Sequence, residues 1–324
     1  MNVTENYEYI DYPFPTHPPT PEDTSDTSPL LPRPVKIILL LLYITTCVLG
    51  LPGNALVIWI TGFKMKQTVN TIWFLHLAIA DFLYCTFLPI PIYNLVNDFN
   101  WVFGLHMCKA NSFILLLNMY VSVYLLAIIS FDRCVLVIFP VWSQNSRTVK
   151  KATGLVLAAW AASSLVSIPS LVFRHIVPLG NGITRCYYNY ETPFNHQVVV
   201  FTRLFFSFLL PCVVILVCYG IIMWKLKTRH LAKSSKPFKI ILSIIFTFFI
   251  CWVPFYVAQL LEIFFCKDGE RSCFIIIPVV SCVATVNSFL NPVLYVFMGS
   301  DFRDTLKQTV RSRMESAFSE QVTV

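Results

Sequence analysis

The sequence predicts an all-α membrane protein: a seven-transmembrane helix bundle followed by a short amphipathic eighth helix. Hydrophobic residues make up 56% of the 324 residues and charged residues 13%, and the mean hydropathy is +0.67. A soluble core of this size does not need so much apolar surface, whereas helices surrounded by lipid do. Seven apolar runs each contain the ~20 residues that a helix needs to cross ~30 Å of hydrocarbon. They occupy residues 35–62, 69–96, 106–139, 150–173, 197–226, 237–265 and 274–298.

The distribution of lysine and arginine predicts the orientation of the bundle. With the N-terminus outside, sixteen of the 24 Lys and Arg residues fall on the cytoplasmic side and seven outside. Membrane proteins carry this excess on their cytoplasmic loops. The net charge of +7 therefore reflects the topology and gives the cytoplasmic side a basic docking face. We expect no nucleic-acid partner.

The composition changes at both ends of the bundle. Residues 1–34, rich in proline and acids, predict a disordered acidic extracellular N-terminus with a glycosylation sequon at Asn2. They show no signal-peptide pattern, so the first apolar run of the bundle, residues 35–298, is expected to act as an uncleaved anchor. Residues 299–324 predict the amphipathic helix and a short cytoplasmic tail. The apolar face of this helix comprises Phe302, Leu306 and Val310.

Several charged side chains lie inside the apolar runs, where they are costly and usually functional. Asp132 and Arg133 end the third run. Either the pair is functional, or the arginine extends to the membrane interface beside a neutralising acid. Asp81 either holds a sodium ion, with hydroxyl and amide oxygens, or is a neutral hydrogen-bonded acid. Arg203 suits a ligand carboxylate, or else pairs structurally with Glu262. Other polar residues deep in the runs are Asn54, Asn118, Ser122, Asn287, Ser288 and Asn291.

The cysteines predict one disulfide, and a second in a smaller loop. Cys108 begins the third run and Cys186 lies in the longest outer loop, so both face the oxidising side. Cys266 and Cys273 flank the third outer loop. The other cysteines lie singly in apolar runs without zinc-like spacing. Neither clustered catalytic groups nor the repeated halves of a transporter are evident, so we expect no enzyme.

Further motifs are dispersed over every run, and together they resemble the rhodopsin-like (class A) G-protein-coupled receptors over about residues 35–315. The motifs are Gly53-Asn54, Leu77-Ala78-Ile79-Ala80-Asp81, Asp132-Arg133, Trp160, Pro211 with Tyr219, Cys251-Trp252-Val253-Pro254-Phe255, and Asn291-Pro292-Val293-Leu294-Tyr295.

Other motifs are similar to those of the chemoattractant group, which includes formyl-peptide, complement-anaphylatoxin and chemerin receptors. They are Asp132-Arg133-Cys134, Trp101-Val102-Phe103-Gly104 and Pro140-Val141-Trp142-Ser143-Gln144-Asn145. Gly50-Leu51-Pro52-Gly53-Asn54-Ala55 and Cys108-Lys109-Ala110-Asn111-Ser112-Phe113 most resemble chemerin-type receptors.

The resemblance implies a two-state bundle that couples to heterotrimeric G proteins, by family habit of the inhibitory class, and to arrestin and receptor kinases. Asp132 would hold Arg133 at rest, alone, because position 234 is serine rather than an acid. The sixth helix would swing about Pro254 and free Arg133. Tyr219 and Tyr295 would stabilise the open form, and Asn291 would have a supporting role. Val123, Pro211 and Phe248 would form a packing switch.

The resemblance also implies a ligand. We expect a peptide or small protein whose C-terminal end points toward Arg203, with Arg174 and Glu262 at the rim. Trp252 would lie beneath it, and Asn118 would complete the pocket. The acidic, tyrosine-bearing N-terminus would capture a basic partner. Alternatives are a non-signalling decoy receptor, a lipid-mediator receptor or a complement-anaphylatoxin receptor.

The one cofactor site that we expect is a sodium site, whose ligands would be Asp81, Ser122, Asn287 and Ser288.

Overall fold

The computed structural model describes residues 31–178, 182–190, 192–228, 236–265, 271–298, 302 and 304–308. Within them, seven helical segments are long and apolar enough to cross a membrane, which confirms the predicted bundle. Spans 1 to 7 are Arg33–Lys64, Val69–Val96, Gly104–Ile138, Val149–Phe173, Pro193–Lys225, Leu242–Phe264 and Ile276–Val293.

Twelve α-helices between residues 33 and 298 of the described part of the chain form the spans and the connection α5, and two short strands lie between spans 4 and 5. The α-helices are α1 Arg33–Trp59, α2 Val69–Phe87, α3 Pro89–Val96, α4 Gly104–Ile138, α5 Pro140–Ser146, α6 Val149–Ser167, α7 Pro169–Phe173, α8 Pro193–Leu204, α9 Leu210–Thr228, α10 Lys236–Phe265, α11 Arg271–Thr285 and α12 Asn287–Met298. The strands are β1 Arg174–Pro178 and β2 Thr184–Tyr188, and π-helical turns cover Ile60–Lys64 and Phe205–Leu209.

Proline interrupts the spans in different ways. New helices begin at Pro89 and Pro169, because proline has no N–H to continue the hydrogen-bond ladder. Pro211 lies just after the second π-helical turn. Pro254 and Pro292 remain inside α10 and α12, as proline can in a bundle whose neighbours compensate for the lost bond.

Span 3 is the most deeply buried of the seven and packs against α2, α6 and α9. The outer spans instead expose large apolar side chains such as Leu157 and Phe246. Lipid tails can cover such surface, whereas on a soluble protein it would drive association.

The eighth helix is present in the described residues 302 and 304–308, which are helical. Phe302 is buried in the main core and Leu306 packs against that core, as the amphipathic pattern predicts. Val310, Ser234, Cys266, Asn2 and most of the N-terminal and C-terminal segments lie outside the described residues, as do the side chains of Cys273 and Tyr295.

A β-hairpin lies between spans 4 and 5, where the sequence predicted only a long loop. β1 pairs antiparallel with β2, with Ile176 opposite Cys186. Cys186 is bonded to Cys108 near the start of α4, so the first predicted disulfide is confirmed. The disulfide fixes the hairpin against span 3 and defines what we call the hairpin end of the bundle; the opposite end is called the Arg133 end.

Candidate functional site

Arg174 begins the wall of a cationic, aromatic site at the hairpin end. It faces Tyr188 across the two strands, and its guanidinium carbon lies 4.0 Å from the centroid of the Tyr188 ring. Nη1 of Arg174 donates to the carbonyl oxygen of Cys186 at 3.1 Å. A cation over a tyrosine face is held electrostatically, so the hairpin fixes the position of this arginine.

Arg203 in α8 supplies the second cation and is only 3% exposed. Its guanidinium carbon lies 5.7 Å from the same Tyr188 ring, while its Nη1 has no hydrogen-bond partner. Glu262 is close enough to attract both Arg203 and Arg174, but among the described residues it forms no salt bridge with either. A buried donor without a hydrogen-bond partner is costly, and Nη1 of Arg203 is such a donor.

Stacked aromatic rings continue the wall of this site. Tyr188 and Tyr190 stack with centroids 5.3 Å apart, and Tyr190 stacks on His196 at 4.4 Å. Burial raises the pKa of the Tyr190 hydroxyl above its usual value, so this group remains a neutral donor at physiological pH. The tyrosines that follow Cys186 were not predicted to line the site, although their density in one outer loop is a usable signal.

A hydrogen-bonded link joins spans 5 and 6 beneath the arginine. The Tyr256 hydroxyl donates to Oγ of Ser207 at 2.9 Å, and Ser207 donates to the carbonyl oxygen of Arg203 at 2.6 Å. Ser207 lies in the π-helical turn, which directs it inward. Trp252, one turn before Tyr256, is buried below, as the sequence predicts. Sequence reasoning missed both Tyr256 and Ser207.

A polar cluster surrounds Asp81 in the middle of the bundle. Asp81 is fully buried; its Oδ2 accepts from Nδ2 of Asn291 at 2.8 Å, and its Oδ1 has no partner. Asn118 also lies here, donating to Oγ of Ser288 at 3.1 Å and accepting from Ser122 at 3.5 Å. The other buried oxygens without a hydrogen-bond partner in this polar set belong to Asn54, Asn287 and Asn291.

Unsatisfied carboxylate and amide oxygens are the donors that a hard cation prefers. Of the predicted sodium set, Asp81 and Asn287 each have a buried oxygen without a hydrogen-bond partner, whereas the hydroxyls of Ser122 and Ser288 are hydrogen-bonded to Asn118. Sodium binding by this set stays a prediction. The described residues contain no group of three or more His, Cys, Asp or Glu side chains placed to bind a metal.

The Arg133 end contradicts one sequence-based prediction. Asp132 does not latch Arg133: both of its carboxylate oxygens accept from Arg147, at 2.7 Å from Nε and 2.9 Å from Nη2. Arg133 is buried and donates instead to Oδ1 of Asn70 at 2.8 Å. Tyr219 in α9 lies within electrostatic range of Arg133. Adjacent helical residues point in different directions, which explains why the neighbours in sequence do not pair.

The predicted packing switch lies between the two ends. Val123, Pro211 and Phe248 are all buried, and Val123 and Phe248 belong to the main core. The Phe248 ring lies 6.0 Å from that of Trp252, which continues the aromatic contacts of span 6 toward the Arg133 end. Their action as a switch remains a prediction.

Removing the disulfide should release the hairpin and lower the free energy of unfolding. We expect Cys108→Ser to cost about 2–5 kcal/mol, as loss of a native disulfide usually does, and to reduce ligand binding because Arg174 loses its fixed position. Thermal unfolding of the purified protein measures the first effect. Cys212→Ser, at a free and half-buried cysteine, is the matched control; equal stability of the two variants would contradict the expectation.

Comparison with known proteins agrees with this architecture. Residues 53–295 match the family model described as "7 transmembrane receptor (rhodopsin family)". The chain is 43% identical to chemerin-like receptor 1 of Rattus norvegicus, covering 92% of this chain and 85% of that one. Identity to chemerin-like receptor 1 of Homo sapiens is 44% (91% and 83% covered). Identity to the C3a anaphylatoxin chemotactic receptor of Danio rerio is 40% (93% and 83%).

Proposed function

The chain belongs to the rhodopsin family of seven-transmembrane receptors, and we propose that it serves as a chemoattractant receptor. In this proposal it binds an extracellular chemerin-like peptide or small protein and activates heterotrimeric G proteins of the inhibitory class. Proteins of this family are multi-pass membrane receptors, not enzymes. The printed names of the relatives, chemerin-like receptors and a C3a anaphylatoxin chemotactic receptor, support the chemoattractant assignment.

The observation that carries the proposal is the buried Arg203, whose Nη1 has no hydrogen-bond partner among the described residues. It lies buried near the hairpin end with a free Nη1, beside a ring shared with Arg174. Two cations against the single carboxylate of Glu262 leave a net positive site. A peptide's C-terminal carboxylate carries the complementary charge and the planar geometry that a guanidinium binds bidentately.

The charge distribution and the disulfide support the topology that we propose for the two ends. The hairpin end would face outward, where the Cys108–Cys186 bridge meets oxidising conditions. The acidic residues 1–34, glycosylated at Asn2 in this proposal, would steer a basic ligand toward the cavity. The Arg133 end would face the cytoplasm, where Lys and Arg are concentrated.

In this proposal, ligand binding is coupled to the Arg133 end through a movement of span 6. A ligand above Trp252 would bias an outward movement hinged near Pro254, and the opened face would expose Arg133 to the G protein. Tyr219 and Tyr295 would stabilise that form, and Asn291 would link the movement to Asp81. Receptor kinases and arrestin would act on the C-terminal tail.

The functional test is a ligand panel in cells that express the receptor. Chemerin, complement anaphylatoxins, formyl peptides and lipid mediators are applied, and cAMP inhibition and arrestin recruitment are recorded. We expect a chemerin-like ligand to produce both responses. Binding and arrestin recruitment without cAMP inhibition for every ligand would identify a decoy and overturn the signalling proposal. A response to lipid mediators alone would overturn the peptide assignment.

The sodium proposal predicts that Asp81→Asn removes a salt-specific stabilisation. Sodium chloride should raise the melting temperature of the wild type above that in choline chloride, by about 2–4 °C for each kcal/mol of ion-binding free energy. Asp81→Asn should melt at the same temperature in both salts, because the charged ligand is gone. Asp304→Asn, at an exposed acid, should keep the difference. A wild type indifferent to the cation would instead support a neutral, hydrogen-bonded Asp81.

A further inference from the structure

An ion pair at the hairpin end joins span 1 to residues 97–103, the segment between spans 2 and 3 that we call the linking loop. Nζ of Lys36 in α1 donates to Oδ1 of Asp98 at 2.7 Å and to the carbonyl oxygen of Val96 at 2.9 Å. Val96 ends α3, and the C-terminus of a helix favours a positive charge. Lys36 therefore holds both the linking loop and the helix that leads into it.

The backbone of the linking loop is strained at this ion pair. Asp98 has a φ of 51° and Phe99 a φ of 62°, in the left-handed region that residues with a side chain rarely adopt. The N–H of Phe99 donates to the carbonyl oxygen of Asn94 at 2.7 Å, and Phe99 packs against the buried cluster that contains Leu95. Such strain persists only where surrounding contacts impose it, and it is concentrated in functional segments.

The strained turn presents the next two residues of the linking loop to the tip of the hairpin. Oδ1 of Asn100 accepts from the N–H of Thr184 at 2.9 Å, and the N–H of Trp101 donates to the carbonyl oxygen of Thr184 at 2.7 Å. Thr184 begins β2, and Pro178 stands opposite it in β1. Proline has no N–H to donate, so the linking loop supplies the bonds that hold this end of β2.

The hairpin is thus attached to the bundle at two neighbouring positions. Cys186 is bonded to Cys108, and Thr184, two residues earlier in β2, is bonded to the linking loop. A single attachment leaves a hairpin free to tilt about it, whereas a second attachment removes that freedom. Arg174 and Tyr188 lie at the other end of the same two strands, so a tilt of the hairpin would displace both.

We propose that Asp98 is a positioning residue for ligand binding: it fastens the linking loop to span 1, and the loop fixes the hairpin that carries Arg174 and Tyr188. This inference deepens the proposed function and rests on it, because it assigns a support to the ligand site beside Arg203. Asp98 touches no ligand in this account. It acts by keeping the site ordered before the ligand arrives, which reduces the ordering that binding requires.

The test measures hydrogen exchange and ligand binding in the full-length receptor in lipid nanodiscs. Asp98→Asn removes the charge but keeps a residue that tolerates the left-handed conformation. Without ligand, the amides of residues 184–188 should exchange about fivefold faster than in the wild type, a typical size for a conformational coupling. A chemerin C-terminal peptide should bind more weakly by a similar factor, mainly through faster dissociation.

Matched variants separate the ion pair from a general effect of charge. Lys36→Gln should reproduce both effects of Asp98→Asn, and Lys36→Arg should keep the wild-type behaviour because it keeps the cation. Arg33→Gln, which removes an equal charge at an exposed position one turn earlier in α1, should change neither measurement. Arg185→Ala removes a second cation that Asp98 attracts but leaves the ion pair with Lys36, and it should also change neither.

The two measurements distinguish the inference from the proposed function. Wild-type hydrogen exchange or wild-type peptide affinity in Asp98→Asn overturns the inference, while the proposed function stands. A wild type that binds no chemerin peptide overturns the proposed function, and the exchange measurement still tests the attachment of the hairpin because it needs no ligand. If Asp98→Asn does not fold, Lys36→Gln removes the same ion pair, and unchanged exchange in that variant overturns the inference.

Discussion

Arg203→Ala lowers the potency of a chemerin C-terminal peptide by about two orders of magnitude, with little change in the melting temperature. The guanidinium is buried and its Nη1 has no hydrogen-bond partner among the described residues, so this donor remains available to the ligand. Removing it leaves the peptide's carboxylate with Arg174 as the remaining cation of the site. Concentration–response curves for cAMP inhibition and competition binding measure the loss.

Matched variants of protein and ligand identify the group that Arg203 binds. An amidated peptide should lose the same factor on the wild type and nothing further on Arg203→Ala, because both changes remove one contact. Arg203→Lys should recover part of the potency, since lysine restores the charge but not the planar fork. Arg185→Ala, on β2 and near Asp98 rather than Tyr188, is the control. Equal potency of the free and amidated peptides on the wild type would show that no carboxylate is bound there.

Arg133→Ala abolishes G-protein activation and leaves ligand binding intact. Arg133 lies at the end of the bundle opposite the hairpin, and among the described residues its hydrogen bond is to the neutral Asn70, so its loss should not disturb the site around Arg203. cAMP inhibition should fall to the unstimulated level while competition binding and surface expression match the wild type. Lys151→Ala, exposed at the same end, should signal normally. A fully active Arg133→Ala receptor would remove the basis of the coupling mechanism.

Much of the fold follows from hydropathy because a spanning helix must satisfy its own backbone in lipid. The seven runs therefore appear in the structure with ends shifted by a few residues; span 3, expected at 106–139, occupies Gly104–Ile138. The β-hairpin was missed because its strands have five residues each, too few for a clear alternation. Its pairing depends on the disulfide and on contacts with span 3, which lie far away in sequence.

At the site too, single residues can be recognised from the sequence, whereas their contacts depend on the tertiary structure. A lone arginine or aspartate inside an apolar run is costly wherever it lies, so Arg203 and Asp81 stand out from sequence alone. The partner of Asp132 does not stand out from sequence alone, because Arg147 comes from a loop fifteen residues further on. Adjacency in sequence suggested Arg133 as that partner, yet successive residues of a helix point about 100° apart. Tyr256 and Ser207 likewise meet across spans 5 and 6, with Ser207 in a π-helical turn that the hydropathy pattern does not indicate.

The most direct test of the receptor mechanism is nucleotide exchange by a purified inhibitory-class heterotrimer with the purified receptor in lipid nanodiscs. The receptor should accelerate GTPγS uptake when chemerin is added, and Arg133→Ala should bind chemerin equally without accelerating uptake. Tight chemerin binding to the wild type with uptake no faster than that over empty nanodiscs would contradict the account and identify a receptor that captures its ligand without signalling.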